Sequence, residues 1–180
     1  HYESKDGTMV PITYSHKSSI KLDKNTPIFL YAYGGYNISI RPAFTPKYVA
    51  WLEMGGVLAV ANIRGGGEFG KAWHNAGRLD TKQNVFDDFL YASKFLENNS
   101  IGNRKSTVIS GRSNGGLLVG TTLVQNPNYF GAALPAVGVM DMIRFTEFTE
   151  GWGWRGDYGS PILNQTDFQR INTYQQYNHK

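Results

Sequence analysis

The 180-residue sequence predicts an α/β fold built on a mostly parallel, doubly wound sheet. Three observations carry this expectation. Strand-like and helix-like segments alternate from residue 27 to 137 with helix-length crossovers. The run Val57-Leu58-Ala59-Val60-Ala61-Asn62 is apolar on both faces, as a strand covered by helices on each side must be. Finally, Gly111-Arg112-Ser113-Asn114-Gly115-Gly116 separates a β-branched run from an apolar helical stretch, the layout of a sharp turn that presents a serine.

The elements follow in order. Asp6-Gly7-Thr8 lies between Tyr2 and the alternating run Met9-Val10-Pro11-Ile12-Thr13-Tyr14, which predicts a hairpin. Residues 27–33 form a buried strand ending at Gly34-Gly35. Thr45-Pro46 is an N-cap followed by proline at the first helical position, and Gly55-Gly56 stops that helix. The strand 57–62 leads into a glycine-rich loop. The clearest helix then runs from about Lys82 to Asn98, with Val85, Phe86, Phe89, Leu90, Phe95 and Leu96 at helical spacing. Residues 107–110 form a strand, 114–126 a helix and 132–137 another strand. No repeat, low-complexity tract or linker interrupts the chain, so residues 1–180 are expected to form one domain.

Composition narrows the function classes. At 41% hydrophobic, the chain can bury one globular core. Its net charge of +4 is spread without a basic run, which gives no case for nucleic acid. No window approaches the ~20 apolar residues of a membrane span, so no membrane partner is expected. There are no cysteines, which excludes thiolate metal sites and disulfides and fits a reducing, cytoplasmic setting. The four histidines, His1, His16, His74 and His179, have no metal-ligand spacing, so neither metal nor cofactor is expected.

The motif at 111–116 carries the chemistry. A turn this tight strains the serine backbone, and the residues two before and two after must lack side chains to avoid collision. Ser113 then stands above the sheet edge, at the amino end of a helix whose partial positive charge favours a developing oxyanion. Gly65-Gly66-Gly67-Glu68-Phe69-Gly70 matches a dinucleotide-binding pattern after a strand, but such binding needs a helix opening at the glycines and an acid at the end of the next strand. The helical period starts near Lys82 and contains Asp87 and Asp88, which favours a flexible loop with structural contacts. Tyr33 sits at a strand's carboxyl end, where it either donates to an oxyanion together with the backbone N–H of Asn114 or packs in the core. Trp152-Gly153-Trp154-Arg155-Gly156-Asp157-Tyr158-Gly159 either stacks on a ring-shaped side chain or closes the core. Asp141 follows a strand and is expected to anchor the next segment.

In this turn architecture the acid and histidine partners follow the serine. A helix-plus-strand unit takes roughly 25–30 residues, which makes His179 too early to be the base. The sequence is therefore expected to be a piece of a larger enzyme, lacking the last strands of its sheet.

The stretch from Ser4-Lys5-Asp6-Gly7-Thr8 to Tyr158-Gly159 resembles the catalytic domain of the prolyl oligopeptidase family of serine peptidases. The matching segments are Tyr33-Gly34-Gly35-Tyr36-Asn37-Ile38-Ser39, Gly55 to Glu68, Ser113-Asn114-Gly115-Gly116-Leu117-Leu118-Val119, and Val137-Gly138-Val139-Met140-Asp141-Met142. The resemblance implies an α/β-hydrolase domain, capped in intact members by a β-propeller that this sequence does not contain. It implies a serine endopeptidase that cuts short peptides on the carboxyl side of proline and works as a monomer. Ser113 would be the nucleophile, with Tyr33 and the N–H of Asn114 as the oxyanion hole. Trp154 would stack on the proline ring, and Tyr36, Val139 and Tyr158 would line the pocket. Such a pocket suits proline, which has no N–H to donate and must be recognised by shape.

Three departures bear on this. Arg112 stands where prolyl enzymes usually have glycine and the oligopeptidase B group has arginine. Tyr36 replaces a phenylalanine, and Glu150 replaces an apolar residue near the pocket. The family's aspartate, histidine and substrate-gripping arginine are expected beyond Lys180, leaving the isolated piece inactive or nearly so. The rival readings are an oligopeptidase that cuts after basic residues, an esterase of the same fold, and a non-catalytic binding protein.

Overall fold

The structure, a computed structural model, describes residues 1–176. β1 (Tyr2–Glu3) and β2 (Met9–Val10) pair antiparallel around Asp6-Gly7-Thr8, with Tyr2 opposite Val10. The expected second arm of this hairpin is split at Pro11. Proline has no N–H for a ladder, and the chain beyond it changes sheets. β3 (Ile12–Ser15) instead pairs antiparallel with β5 (Val57–Ala61).

The main sheet has the order β3-β5-β4-β6-β7, where β4 is Ile28–Tyr31, β6 is Thr107–Arg112 and β7 is Ala132–Ala136. All pairings except β3–β5 are parallel. From β4 the chain steps outward to β5, then returns past β4 to β6 and continues to β7. Right-handed crossovers in opposite directions put helices on opposite faces of the sheet. Period-two alternation in β4 agrees with this. Phe29 and Tyr31 meet Tyr48 and Trp51 of α1 (Pro46–Glu53), whereas Ile28 and Leu30 are fully buried on the other side.

That other side holds α3 (Gln83–Asn98) and α4 (Asn114–Gln125), which pack on each other. Val85, Phe86, Phe89 and Leu96 of α3 are buried, as their spacing predicts. Each such side chain stabilises the fold by about 1.5–3 kcal/mol. Every residue of α4 from Asn114 to Thr122 is buried, because this helix lies between sheet and α3.

Thr45 precedes Pro46 at the start of α1, but its side chain makes no capping hydrogen bond; its carbonyl accepts from the N–H of Tyr48 and Val49. A short helix, α2 (Lys71–Asn75), opens directly after the glycine-rich loop, contrary to the expectation that helix begins only near Lys82. Asp87 and Asp88 do lie within α3. The loop is also packed rather than loose. A Cβ on Gly65 would come within 2.5 Å of the Gly34 carbonyl, and Arg64 is buried against Asp88 at 2.7 Å. α5 (Arg155–Tyr158) and α6 (Gln165–Asn172) are the last helices among the described residues. No helix among the described residues is long and apolar enough to cross a membrane.

Candidate active site

The carboxyl ends of β4 and β6 lie side by side where the strand order reverses, the place where such sheets leave a crevice. β6 turns into α4 through Ser113, which has φ 58° and ψ −116°. For a non-glycine residue this is a strained conformation, and it lifts the side chain out of the sheet. Ser113 is exposed although Asn114 and Gly115 behind it are buried. The flanking glycines are required by contact. A Cβ on Gly111 would collide with the Gly115 carbonyl, and one on Gly116 would sit 2.6 Å from the Gly138 Cα. Ser113 fixes the turn by donating its N–H to the Ala136 carbonyl at 2.9 Å.

Tyr33 lies just past β4, half-buried, with its phenol near enough to the Ser113 side chain to be influenced by it. Burial raises the Tyr33 phenol above its ordinary pKa, with the Ser113 contact opposing, so it remains a neutral donor at neutral pH. Asn114 is the first residue of α4, and the leading N–H groups of a helix have no intrahelical acceptor. Its side chain is 1% exposed and reaches back to β4, donating through Nδ2 to the Tyr33 carbonyl at 2.6 Å. Gly35 makes room for this amide, since a Cβ there would meet Nδ2 at 2.5 Å.

Tyr36 and Tyr158 pack together beside this turn. Tyr36 has φ 55°, and its ring meets Tyr158 edge to face at 5.7 Å. The Tyr158 hydroxyl donates to Asn114 Oδ1 at 2.8 Å. The Tyr36 phenol lies beside Tyr158, and burial raises both above their ordinary range. Trp154 and Val139 are half-buried and pack on the core. Trp154 closes a single helical turn, Gly151–Trp154, while Glu150 and Arg112 are exposed. Asp141 anchors the next segment as expected, accepting from the Arg144 N–H at 3.2 Å and from its guanidinium.

Two arrangements here were not visible in the sequence. Asp157 is buried, accepts the Tyr36 N–H at 2.8 Å and bonds His74 Nε2 at 2.8 Å, tying α2, the aromatic segment and the loop after β4 together. Lys82 is 1% exposed, with Nζ donating to the Asn114 Oδ1 at 3.2 Å and the Gly34 carbonyl at 3.3 Å. Its one sequence signal is a lysine at the amino end of α3, where the helix dipole opposes a cation. Of the other histidines, His16 bonds the Lys17 carbonyl, and His179 lies outside the described residues. Among the described residues, no group of three or more acidic and histidine side chains could hold a metal ion.

A five-stranded, mostly parallel sheet with a strained serine between β6 and α4 defines the class: an α/β-hydrolase domain. Comparison with known proteins then places it more closely. Residues 42–180 match the model of the prolyl oligopeptidase family, and the chain belongs to that family. It is 47% identical over 173 residues to a prolyl endopeptidase of Elizabethkingia meningoseptica, covering 96% of this chain and 24% of that one. It is 44% identical over 172 residues to a dual function macrocyclase-peptidase of Amanita bisporigera, covering 94% and 23%. Among solved structures, prolyl oligopeptidase B from Galerina marginata superposes with a TM-score of 0.95 at 42% identity, over 99% of this chain and 26% of that one. A post-proline cleaving enzyme from Rickettsia typhi gives 0.95 at 38% identity, with the same coverage. The chain thus spans about a quarter of the length of the relatives it matches.

Proposed function

We propose that the protein carrying this chain is a serine endopeptidase that hydrolyses short peptides on the carboxyl side of proline. The observation that carries the reading is Ser113, exposed and strained at the start of α4 with the Tyr33 phenol beside it. Ser113 Oγ attacks the carbonyl carbon of the proline residue as a histidine takes its proton. The new alkoxide lies between the Tyr33 hydroxyl and the Asn114 N–H, donors fixed before the reaction begins. The C–N bond then breaks, the amine leaves with the proton from histidine, and water releases the acyl group by the same path in reverse.

His74 bonds Asp157 and makes no hydrogen bond to Ser113 among the described residues, and we assign the base to the remainder of the protein, together with a propeller domain. Trp154, Tyr36, Tyr158 and Val139 form the proline pocket in this reading. The lack of cysteine supports a cytoplasmic address, and the resemblance to the family supports a monomer.

Turnover of peptide reporters by the full-length protein tests the substrate class. Cleavage after proline should far exceed cleavage after arginine, and Trp154→Ala should remove that preference by raising KM for the proline reporter. Faster cleavage after arginine, or an unaltered preference in the variant, overturns the pocket assignment.

A further inference from the structure

Lys82 is buried beneath the serine turn, touches neither solvent nor the exposed face of Ser113, and carries a charge that a protein interior penalises. Helix physics gives no reason for it, since a cation at the amino end of α3 opposes the helix dipole. Its contacts do. Nζ donates to the Gly34 carbonyl at 3.3 Å and to the Asn114 Oδ1 at 3.2 Å, and lies 5.3 Å from the centre of the Tyr158 ring. An ammonium can only donate, so the oxygen of the Asn114 amide has to face it. That choice turns the amide nitrogen to the Tyr33 carbonyl, 2.6 Å away. One cation thereby joins the loop after β4, which carries the Tyr33 hydroxyl, to the start of α4, which carries the Asn114 N–H.

We propose that Lys82 is a positioning residue: by fixing the Asn114 amide and the Gly34 carbonyl together, it sets the spacing between the two oxyanion donors. The proposal rests on the peptidase reading above. It assigns Lys82 no contact with substrate. Because hydrogen bonds to an oxyanion act only when their donors are already in place, a small shift in this spacing lowers kcat more than it weakens substrate binding.

Other charged and titratable groups face Lys82. Asp157 and Tyr158 approach it from α5, with Tyr36 behind Tyr158 and His74 behind Asp157. Burial pushes the Lys82 ammonium down to about 8, with the field of Asp157 opposing. Loss of its proton leaves two N–H donors but adds a lone pair, so the amide is no longer obliged to present its oxygen and the charge that strengthens both bonds is gone. An alkaline decline of kcat that disappears in Lys82→Arg is the signature expected of Lys82, since Tyr33 is held above its ordinary value.

The experiment measures kcat and KM of the full-length enzyme on a proline reporter, with folding followed by thermal midpoint. Lys82→Met should lower kcat about 10- to 100-fold with KM within about twofold. A peptide aldehyde, which forms an oxyanion on Ser113, should lose affinity in proportion to kcat/KM, while a product peptide should bind as before. Lys82→Arg keeps a donor-only cation, and should restore much of kcat while losing the alkaline decline near pH 8. A folded Lys82→Met with unchanged kcat, or with aldehyde and product peptide weakened equally, overturns the proposal. Should neither variant fold, the wild-type profile decides: a kcat flat from about pH 7 to 9.5 contradicts it. If the wild-type enzyme does not cleave after proline at all, it is the peptidase reading that has failed.

Discussion

The side-chain amide of Asn114 donates to the carbonyl of Tyr33 at 2.6 Å, joining two residues 81 positions apart at the ends of neighbouring parallel strands. The same amide accepts from Lys82 and from Tyr158, so three elements meet on one side chain.

Replacing Asn114 with leucine therefore leaves the Lys82 ammonium, the Tyr158 hydroxyl and the Tyr33 carbonyl without their common partner. Leaving a buried donor or acceptor without its partner costs about 1–3 kcal/mol, more where the group is charged. Asn114→Leu should lower the unfolding midpoint of the full-length protein by several degrees. The double variant Asn114→Leu with Lys82→Met should recover part of that loss, because the orphaned charge is gone. Strictly additive losses in a double-mutant cycle would contradict the coupling.

The fold was largely legible because its strands are short apolar runs between glycines and its helices have clear periods. Val57–Ala61 and Gln83–Asn98 fall within a residue of where their patterns put them. Lys71–Asn75 was not legible, since five residues are too few to display a period. α6 is polar along most of its length, and its signal was the Asn164 side chain capping the N–H of Thr166 and Asp167. In the site, Ser113 and Asn114 were readable because local turn chemistry imposes their glycines. Lys82 and Asp157 were not, as their partners lie 32 to 121 residues away and no local pattern encodes them.

Gly111 tests the steric account of the turn. A methyl group there would collide with the Gly115 carbonyl, both within the backbone that holds Ser113. Gly111→Ala should destabilise the domain by about 1–3 kcal/mol through a backbone shift, and should slow fluorophosphonate labelling of Ser113. Wild-type stability and labelling in this variant would show that the turn does not need its glycine.

The buried lysine also makes a prediction for stability against pH. Its folded pKa of about 8 lies below the ordinary value of 10.5, so between these the unfolded chain binds the extra proton. Stability then rises with pH, because slope follows the protons bound by the unfolded state minus those bound by the folded state. Below pH 8 the group is protonated in both states and its cost is constant. Above about pH 10 the buried Tyr2 and Tyr158 and the half-buried Tyr36, all raised by desolvation, act in the opposite sense. Denaturant titrations between pH 8 and 10 should show a rising contribution in wild type that is absent in Lys82→Met. Identical slopes in the two proteins would contradict it.

The most direct measurement is turnover of a proline-containing reporter by the full-length protein with Ser113→Ala as its single change. Loss of the nucleophile should reduce kcat by at least about 10³-fold while leaving the unfolding midpoint near wild type, since the side chain is exposed. Turnover at the wild-type rate in a folded Ser113→Ala protein would contradict the account.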